Sequence, residues 1–206
     1  TLEVTPAVLI PRVDTEVLAE AAILFAGTLK KCRLLDLCTG SGCVGLAAAA
    51  NVPGCRALLG DVSQEALTVC RRNVRRCGLT DRVKAETLDA LAPPPPFTGA
   101  FDCITCNPPY IPRADLETLD RPVKDFEPRL ALCGGEDGLD FYRAAAKNWK
   151  NVLTENGRMY FEVGIGQAEE VRRLMDGEGF LDIRVLPDTQ GIDRVVYGTF
   201  HRGAIL

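Results

Sequence analysis

The chain has 206 residues, 47% of them hydrophobic and 25% charged, which suits one globular domain with a sizeable core and leaves two full domains cramped. No apolar run approaches the roughly 18 residues of a membrane span, and residues 1–12 show neither the basic start nor the apolar stretch of a signal peptide, so a cytoplasmic protein is expected. A formal net charge of -4, with a pI near 5.2, removes the general attraction to phosphate backbones and disfavours a nucleic-acid partner.

In chain order, Asp14 stands where it can cap a helix whose Leu18, Ala21, Ala22 and Phe25 share a face, with Gly27 available to end it. Residues 33–37 read as a buried strand, 44–51 as an alanine-rich helix and 56–60 as a second strand. Ser63 caps the next helix, in which Leu67, Cys70, Val74 and Cys77 recur at helical spacing until Gly78 stops it. Residues 83–87 and 101–106 form the third and fourth strands, with a stiff polyproline stretch over 93–96 between them. After a long polar loop, Tyr142, Ala145, Ala146, Trp149 and Leu153 line one face of a helix that leads to a strand over 158–163. A helix over about 167–179 follows, then strands near 183–186 and 195–200. The short link between these two strands holds no helix and implies an antiparallel hairpin at one edge. The alternation elsewhere predicts an α/β fold: a Rossmann-like, mostly parallel seven-stranded sheet wrapped on both faces.

Nine cysteines are spread from Cys32 to Cys133, an odd number with several inside apolar segments, which reads as reduced core thiols. Cys103 and Cys106 form a CxxC, but on a strand, where positions three apart face opposite sides, and the single histidine is His201. Neither a metal nor a redox centre is expected from them. Arg71, Arg72, Arg75 and Arg76 read as a solvated helix face.

Between the first strand and its helix lies Asp36-Leu37-Cys38-Thr39-Gly40-Ser41-Gly42, where glycines allow close backbone approach and exposed N–H groups can face a nucleotide-like ligand. Gly40, Gly42 and Gly45 also satisfy GxGxxG, so a dinucleotide has to be weighed. A carboxylate at Asp36 would repel a pyrophosphate, whereas S-adenosyl-L-methionine has no phosphate and carries an ammonium and a sulfonium. Asp61, with Val62 behind it, ends the second strand where a carboxylate can accept from both ribose hydroxyls. Asp89 and Ala90 follow the third strand on the same edge, beside the place of an adenine.

Asn107-Pro108-Pro109-Tyr110 follows the fourth strand and emerges on that edge too. An amide or aromatic amine nitrogen is a poor nucleophile because its lone pair is delocalised, so a site that methylates it must hold both N–H groups and aim the lone pair. The Asn107 side-chain oxygen and the Pro108 carbonyl can accept those two bonds, two prolines stiffen the turn, and Tyr110 can pack on the planar group.

On these motifs the sequence resembles the HemK family, the release-factor glutamine N5-methyltransferases, from about Val8 to Phe200. The further marks are Ile10-Pro-Arg-Val-Asp-Thr-Glu16, Asn107-Pro-Pro-Tyr-Ile111, and Phe126-Glu-Pro-Arg-Leu-Ala-Leu132 followed by Gly134-Gly-Glu-Asp-Gly138. Asn-Pro-Pro-Tyr alone is shared with N6-adenine methyltransferases of DNA or RNA; the Pro11-Arg12 and Phe126-Glu-Pro-Arg129 segments favour the glutamine enzymes. The resemblance implies that residues 38–42, Asp61 and Asp89-Ala90 border S-adenosyl-L-methionine and that residues 107–110 hold a glutamine amide. It also implies, as substrate, the Gly-Gly-Gln loop of a class I peptide chain release factor, with a ribosomal protein as the alternative. Cys38 stands where the family has a glycine, and Val13 where it has a proline. Members of the family usually carry a small helical domain ahead of the matched segment; here the expectation is a methyltransferase domain alone over residues 1–206.

Overall fold

Strands and helices alternate in the computed structural model, which describes residues 1–96, 98–119, 121 and 127–202. The elements are α1 (Thr15–Gly27), β1 (Cys32–Leu37), α2 (Cys43–Asn51), β2 (Cys55–Asp61), α3 (Gln64–Arg76), β3 (Val83–Thr87) and β4 (Phe101–Cys106). Then come α4 (Asp140–Asn148), β5 (Leu153–Glu162), α5 (Ala168–Gly177), β6 (Phe180–Pro187) and β7 (Asp193–Phe200). They build a seven-stranded sheet of order β3-β2-β1-β4-β5-β7-β6, parallel from β3 to β5, with β7 antiparallel to both β5 and β6. The predicted fold and edge hairpin are both present.

Side chains of successive strand residues point to opposite faces, so β1 feeds two cores. Leu34 joins a cluster with Leu18 and Ala22 of α1, Leu46 of α2 and Leu67 of α3, whereas Leu35 and Leu37 join Tyr142 of α4 and Val171 of α5. Cys103 and Cys106 divide between the same two clusters, as strand geometry requires. Because the chain leaves β1 toward β2 on one side and reaches β4 on the other, a crevice opens beyond the carboxyl ends of these central strands. Among the described residues, no helix is long and apolar enough to cross a membrane.

Ser63 does cap α3, accepting from the Ala66 N–H at 3.1 Å, and Gly78 ends that helix region at φ +67. Asp14 does not cap α1. Its backbone is already helical, at φ -60 and ψ -30, and its carboxylate pairs with Arg194 at 3.0 Å instead. Cys77 is exposed at the end of α3, one step past the buried stripe. The helix expected to carry Trp149 and Leu153 stops at Asn148. A 3-10 turn over Trp149–Val152 tightens the chain directly into β5, so both side chains are buried without a further helical turn. β5 begins before the predicted strand; its first half is polar and partly exposed, with Asn156 at φ +62, and so lacks the apolar pattern from which the strand was read.

Candidate active site

The turn from β1 into α2 is held by its own polar groups. Asp36, 2% exposed, accepts from the hydroxyls of Thr39 at 2.5 Å and Thr105 at 2.7 Å, and from the Gly45 N–H at 3.3 Å. Burial pushes its carboxyl up to about 6; those three donors pull the other way, and the neighbouring Asp61 adds repulsion. Cys38, Gly40 and Gly42 all have positive φ, at 55, 53 and 86. A Cβ at Gly45 would lie 2.2 Å from Cδ2 of Leu59, so α2 can rest on β2 only with a glycine there.

The loop's N–H groups were expected to face a ligand, but three of them turn into the protein. Thr39 donates to the Gly60 carbonyl at 3.0 Å, Gly42 to the Thr39 carbonyl at 2.8 Å, and Gly40 to Oδ2 of Asp61 at 2.9 Å. The other Asp61 oxygen accepts from the Ser63 N–H at 3.0 Å. A carboxylate oxygen has two acceptor sites, so each retains capacity for a hydroxyl from the crevice. Asp89 uses Oδ1 for the Leu91 N–H at 2.9 Å, a side-chain turn that fixes the stretch after β3.

A cavity of about 250 Å³ occupies the crevice. Of the residues singled out from sequence, Asp36, Cys38, Thr39, Gly40, Ser41, Asp61, Val62, Asp89, Ala90, Asn107 and Pro109 line it. Gly42, Pro108 and Tyr110 are not among the described lining residues. Gly42 stands at the N-terminus of α2, where a Cβ would come within 3.0 Å of the Cys70 sulfur. The Tyr110 ring lies against Gly164, burial raises its phenol pKa, and its carbonyl accepts from Nε2 of Gln167 at 2.9 Å.

Sequence reasoning assigned no site role to several walls of this cavity. Val8, Leu9 and Pro11 form one, Pro128 and Leu130 another, and Phe141 a third. The first two are joined by an ion pair between Arg12 and the buried Glu127, at 2.5 Å. Pro11, Pro128 and Leu130 belong to the two segments quoted as family marks, and Val8 and Leu9 lie just ahead of the first; Phe126 itself lies outside the described residues.

Thr15 and Glu162 were also missed. Thr15 lines the cavity from the first turn of α1, and its hydroxyl accepts from Nδ2 of Asn107 at 3.4 Å. Glu162 ends β5 and is 3% exposed. Burial drives its carboxyl up to about 7, while the Thr15 hydroxyl, Arg194 and the Asn107 amide hold it down. The strand-end logic that picked out Asp36, Asp61 and Asn107 would have found Glu162 as well, had it been applied to the fifth strand.

The family model described as "Methyltransferase small domain" matches residues 15–126. The chain is 41% identical over 189 residues to a release factor glutamine methyltransferase of Clostridium acetobutylicum, a match covering 92% of this chain and 66% of that protein. It is 42% identical over 195 residues to one of Geobacter sulfurreducens, covering 95% and 66%. Thus the chain spans about two thirds of the length of these curated relatives. Among solved structures, the release factor-specific protein-(glutamine-N5) methyltransferase of Alicyclobacillus acidocaldarius superposes with a TM-score of 0.58 at 32% identity, covering 97% of this chain and 99% of that one. On identity, coverage and fold together, the chain belongs to the family of release factor glutamine methyltransferases.

Proposed function

We propose that this chain, as a single methyltransferase domain, transfers a methyl group from S-adenosyl-L-methionine to the side-chain amide nitrogen (N5) of a glutamine, in the Gly-Gly-Gln loop of a class I peptide chain release factor. The observation that carries this reading is the meeting, in one cavity, of Asp61 with spare acceptor capacity and Asn107 at the end of the neighbouring half of the sheet.

The donor set fits the cofactor. Asp61 accepts from the ribose hydroxyls, Leu88, Ala90 and Leu91 offer an apolar wall to the adenine, and Asp36 gives the cavity an acidic floor suited to a cation. A pyrophosphate would meet two carboxylates and a loop whose N–H groups at Thr39, Gly40 and Gly42 are already used. S-adenosyl-L-methionine supplies an electrophilic methyl on a good leaving group. The protein's part is positioning: Asn107 Oδ1 and the Pro108 carbonyl accept the two amide N–H bonds, and the prolines keep both acceptors fixed. No strong base is needed, because the proton can leave after transfer.

The test is methyl transfer from labelled cofactor to a release factor, beside DNA and RNA, with mass spectrometry to locate the modified residue. A mass increase on the Gly-Gly-Gln glutamine is the expected outcome. Label appearing in nucleic acid and not in protein would overturn the reading.

A further inference from the structure

The register that pairs Cys106 with Phe161 places Asn107 and Glu162 side by side, one step beyond the last ladder pair of β4 and β5. Thr15 completes a triangle from the start of α1, a helix that packs on both strands. Within that triangle, among the described residues, Oε2 of Glu162 is buried and has no hydrogen-bond partner. Tyr142 donates to the backbone carbonyl of Glu162 at 2.9 Å and leaves the carboxyl alone. A buried carboxyl with a bare oxygen, beside the amide that must select a substrate, calls for a role beyond packing.

The chemistry of the two side chains supplies it. An amide has a donor end and an acceptor end, and its neighbours decide which way it points. A carboxylate only accepts, so it can hold the NH₂ end of Asn107 and leave the oxygen for a ligand. A protonated carboxyl carries a donor, which the Asn107 oxygen can take, and the amide then presents NH₂ to the cavity, where it opposes the substrate's own NH₂.

We propose that Glu162 is a positioning residue for methyl transfer: as a carboxylate it keeps the Asn107 oxygen facing the cavity, and its protonation releases the amide to reverse. This rests on Asn107 accepting from the substrate amide, as read above. Among the described residues, the groups that face Glu162 are Arg194 from β7, Asp14 and Thr15 from the start of α1, Tyr110 after β4, Tyr142 from α4 and Cys43 from α2. Arg194 is fixed by Asp14 and Asp188, both at 3.0 Å. Burial raises both phenols, and takes Cys43 to about 11, so none of these three ionises near neutrality. Asp36, on the cavity floor, titrates near 6 and is separated from Glu162 by substitution.

The first measurement needs no cofactor. In the unliganded protein, the Asn107 side-chain amide is assigned by the loss of its NMR signal in Asn107→Ala and followed from about pH 5.5 to about pH 8.5. An inflection near 7, absent in Glu162→Gln, is the expected result. A flat wild-type signal would overturn the proposal.

Single-turnover methylation of a release factor gives the second. The wild-type rate should rise with pH and level off above about 7, whereas Glu162→Gln should be slower by roughly 10- to 100-fold and lack that limb, with cofactor affinity unchanged by calorimetry. In an Asn107→Ala background, Glu162→Gln should cost nothing further, because it acts through Asn107. Independent, multiplying losses would overturn the coupling. A slow Asn107→Ala beside a Glu162→Gln of wild-type rate and profile would remove Glu162 alone; a fast Asn107→Ala would instead remove the reading of the site.

Discussion

The two halves of the crevice hold their acids differently. In the half built on β1 and β2, Asp61 receives a backbone N–H on each oxygen, and Asp36 has three donors. All but Thr105 come from residues 39–63, the loops and turns of the same stretch of chain. In the half built on β4 and β5, Asn107 and Glu162 meet each other and Thr15, three residues far apart in sequence, with one carboxyl oxygen left bare among the described residues. A locally braced site suits a cofactor that is the same in every turnover. A looser site assembled across the sheet suits the end of the reaction where orientation has to be selected.

The contrast breaks most visibly at Asn107. Asn107→Ala should cut single-turnover methylation by roughly 10²–10³, the usual cost of losing a preorganised donor or acceptor at the reacting group, while cofactor affinity stays within a few-fold. A folding defect would lower rate, affinity and Tm together. Near-normal turnover in a folded variant would dissolve the division between the two halves.

The next effect concerns stability and comes from the braced half. Asp36 has its carboxyl raised from an ordinary 3.8 to about 6, chiefly by burial. The folded state therefore holds a proton that the unfolded chain has released between those values, so the stabilisation is complete below 3.8 and is lost as pH rises through about 6. Full loss amounts to on the order of 3 kcal/mol. Glu162 adds a loss in the same direction, between 4.5 and about 7. Chemical unfolding of the unliganded protein and of Asp36→Asn across that range checks this: the difference between the two curves should follow Asp36. Parallel curves would mean that Asp36 is ionised throughout.

The same contrast governs what the sequence made legible. The alternation of strand and helix, the edge hairpin and the residues from Asp36 to Asp61 were readable because their cues are local: a glycine loop, strand-end acids and caps within a few residues. Gly45 was noted as part of a glycine pattern, but its reason, the 2.2 Å approach of a Cβ to Leu59, needs the packed helix. Asp14 looked like a cap because aspartate before a helical stripe usually is one, and Arg194 in the last strand claimed it. Thr15 carries no local signature, and Glu162 carries only that of an acid at a strand end, which does not say what it meets. They become neighbours of Asn107 only when β5 takes its place beside β4, which pattern alone does not state residue by residue. Pro11 and the Pro128–Leu130 wall were visible within motifs without a place, and Val8 and Leu9 fell outside any motif, since loop packing follows from tertiary contacts such as Arg12 with Glu127.

Asp61 tests the bracing from the ligand's side. Asp61→Ala should weaken S-adenosyl-L-methionine binding by about 1.5–3 kcal/mol, the range for hydrogen bonds to a charged group. Part of that loss will come from freeing the Gly40 and Ser63 N–H groups that the carboxylate holds. Asp61→Asn separates the two contributions, because one amide oxygen can keep one of those bonds. Calorimetry showing an unchanged dissociation constant in folded Asp61→Ala would remove the ribose assignment.

The smallest effect is a pH dependence of cofactor affinity set by Asp36. This side chain shares the cavity with the place assigned to a sulfonium and an ammonium, and a nearby cation favours its ionised form. Binding should then release a proton wherever the unliganded protein still holds one, below about 6. Affinity should rise with pH up to that value and level off beyond it, with a limiting slope of about tenfold per pH unit. S-adenosylhomocysteine lacks the sulfonium charge and should show a shallower rise. Asp36→Asn should flatten both profiles, because an amide has no proton to release, and its affinity above pH 7 should be lower than the wild type's. Asp61 serves as the internal control: its loss should shift the whole profile downward and leave the slope in place. If instead the slope vanished in Asp61→Ala and survived in Asp36→Asn, the acid that senses the cofactor's charge would be the one at the end of β2, and the bracing of Asp36 would be structural alone.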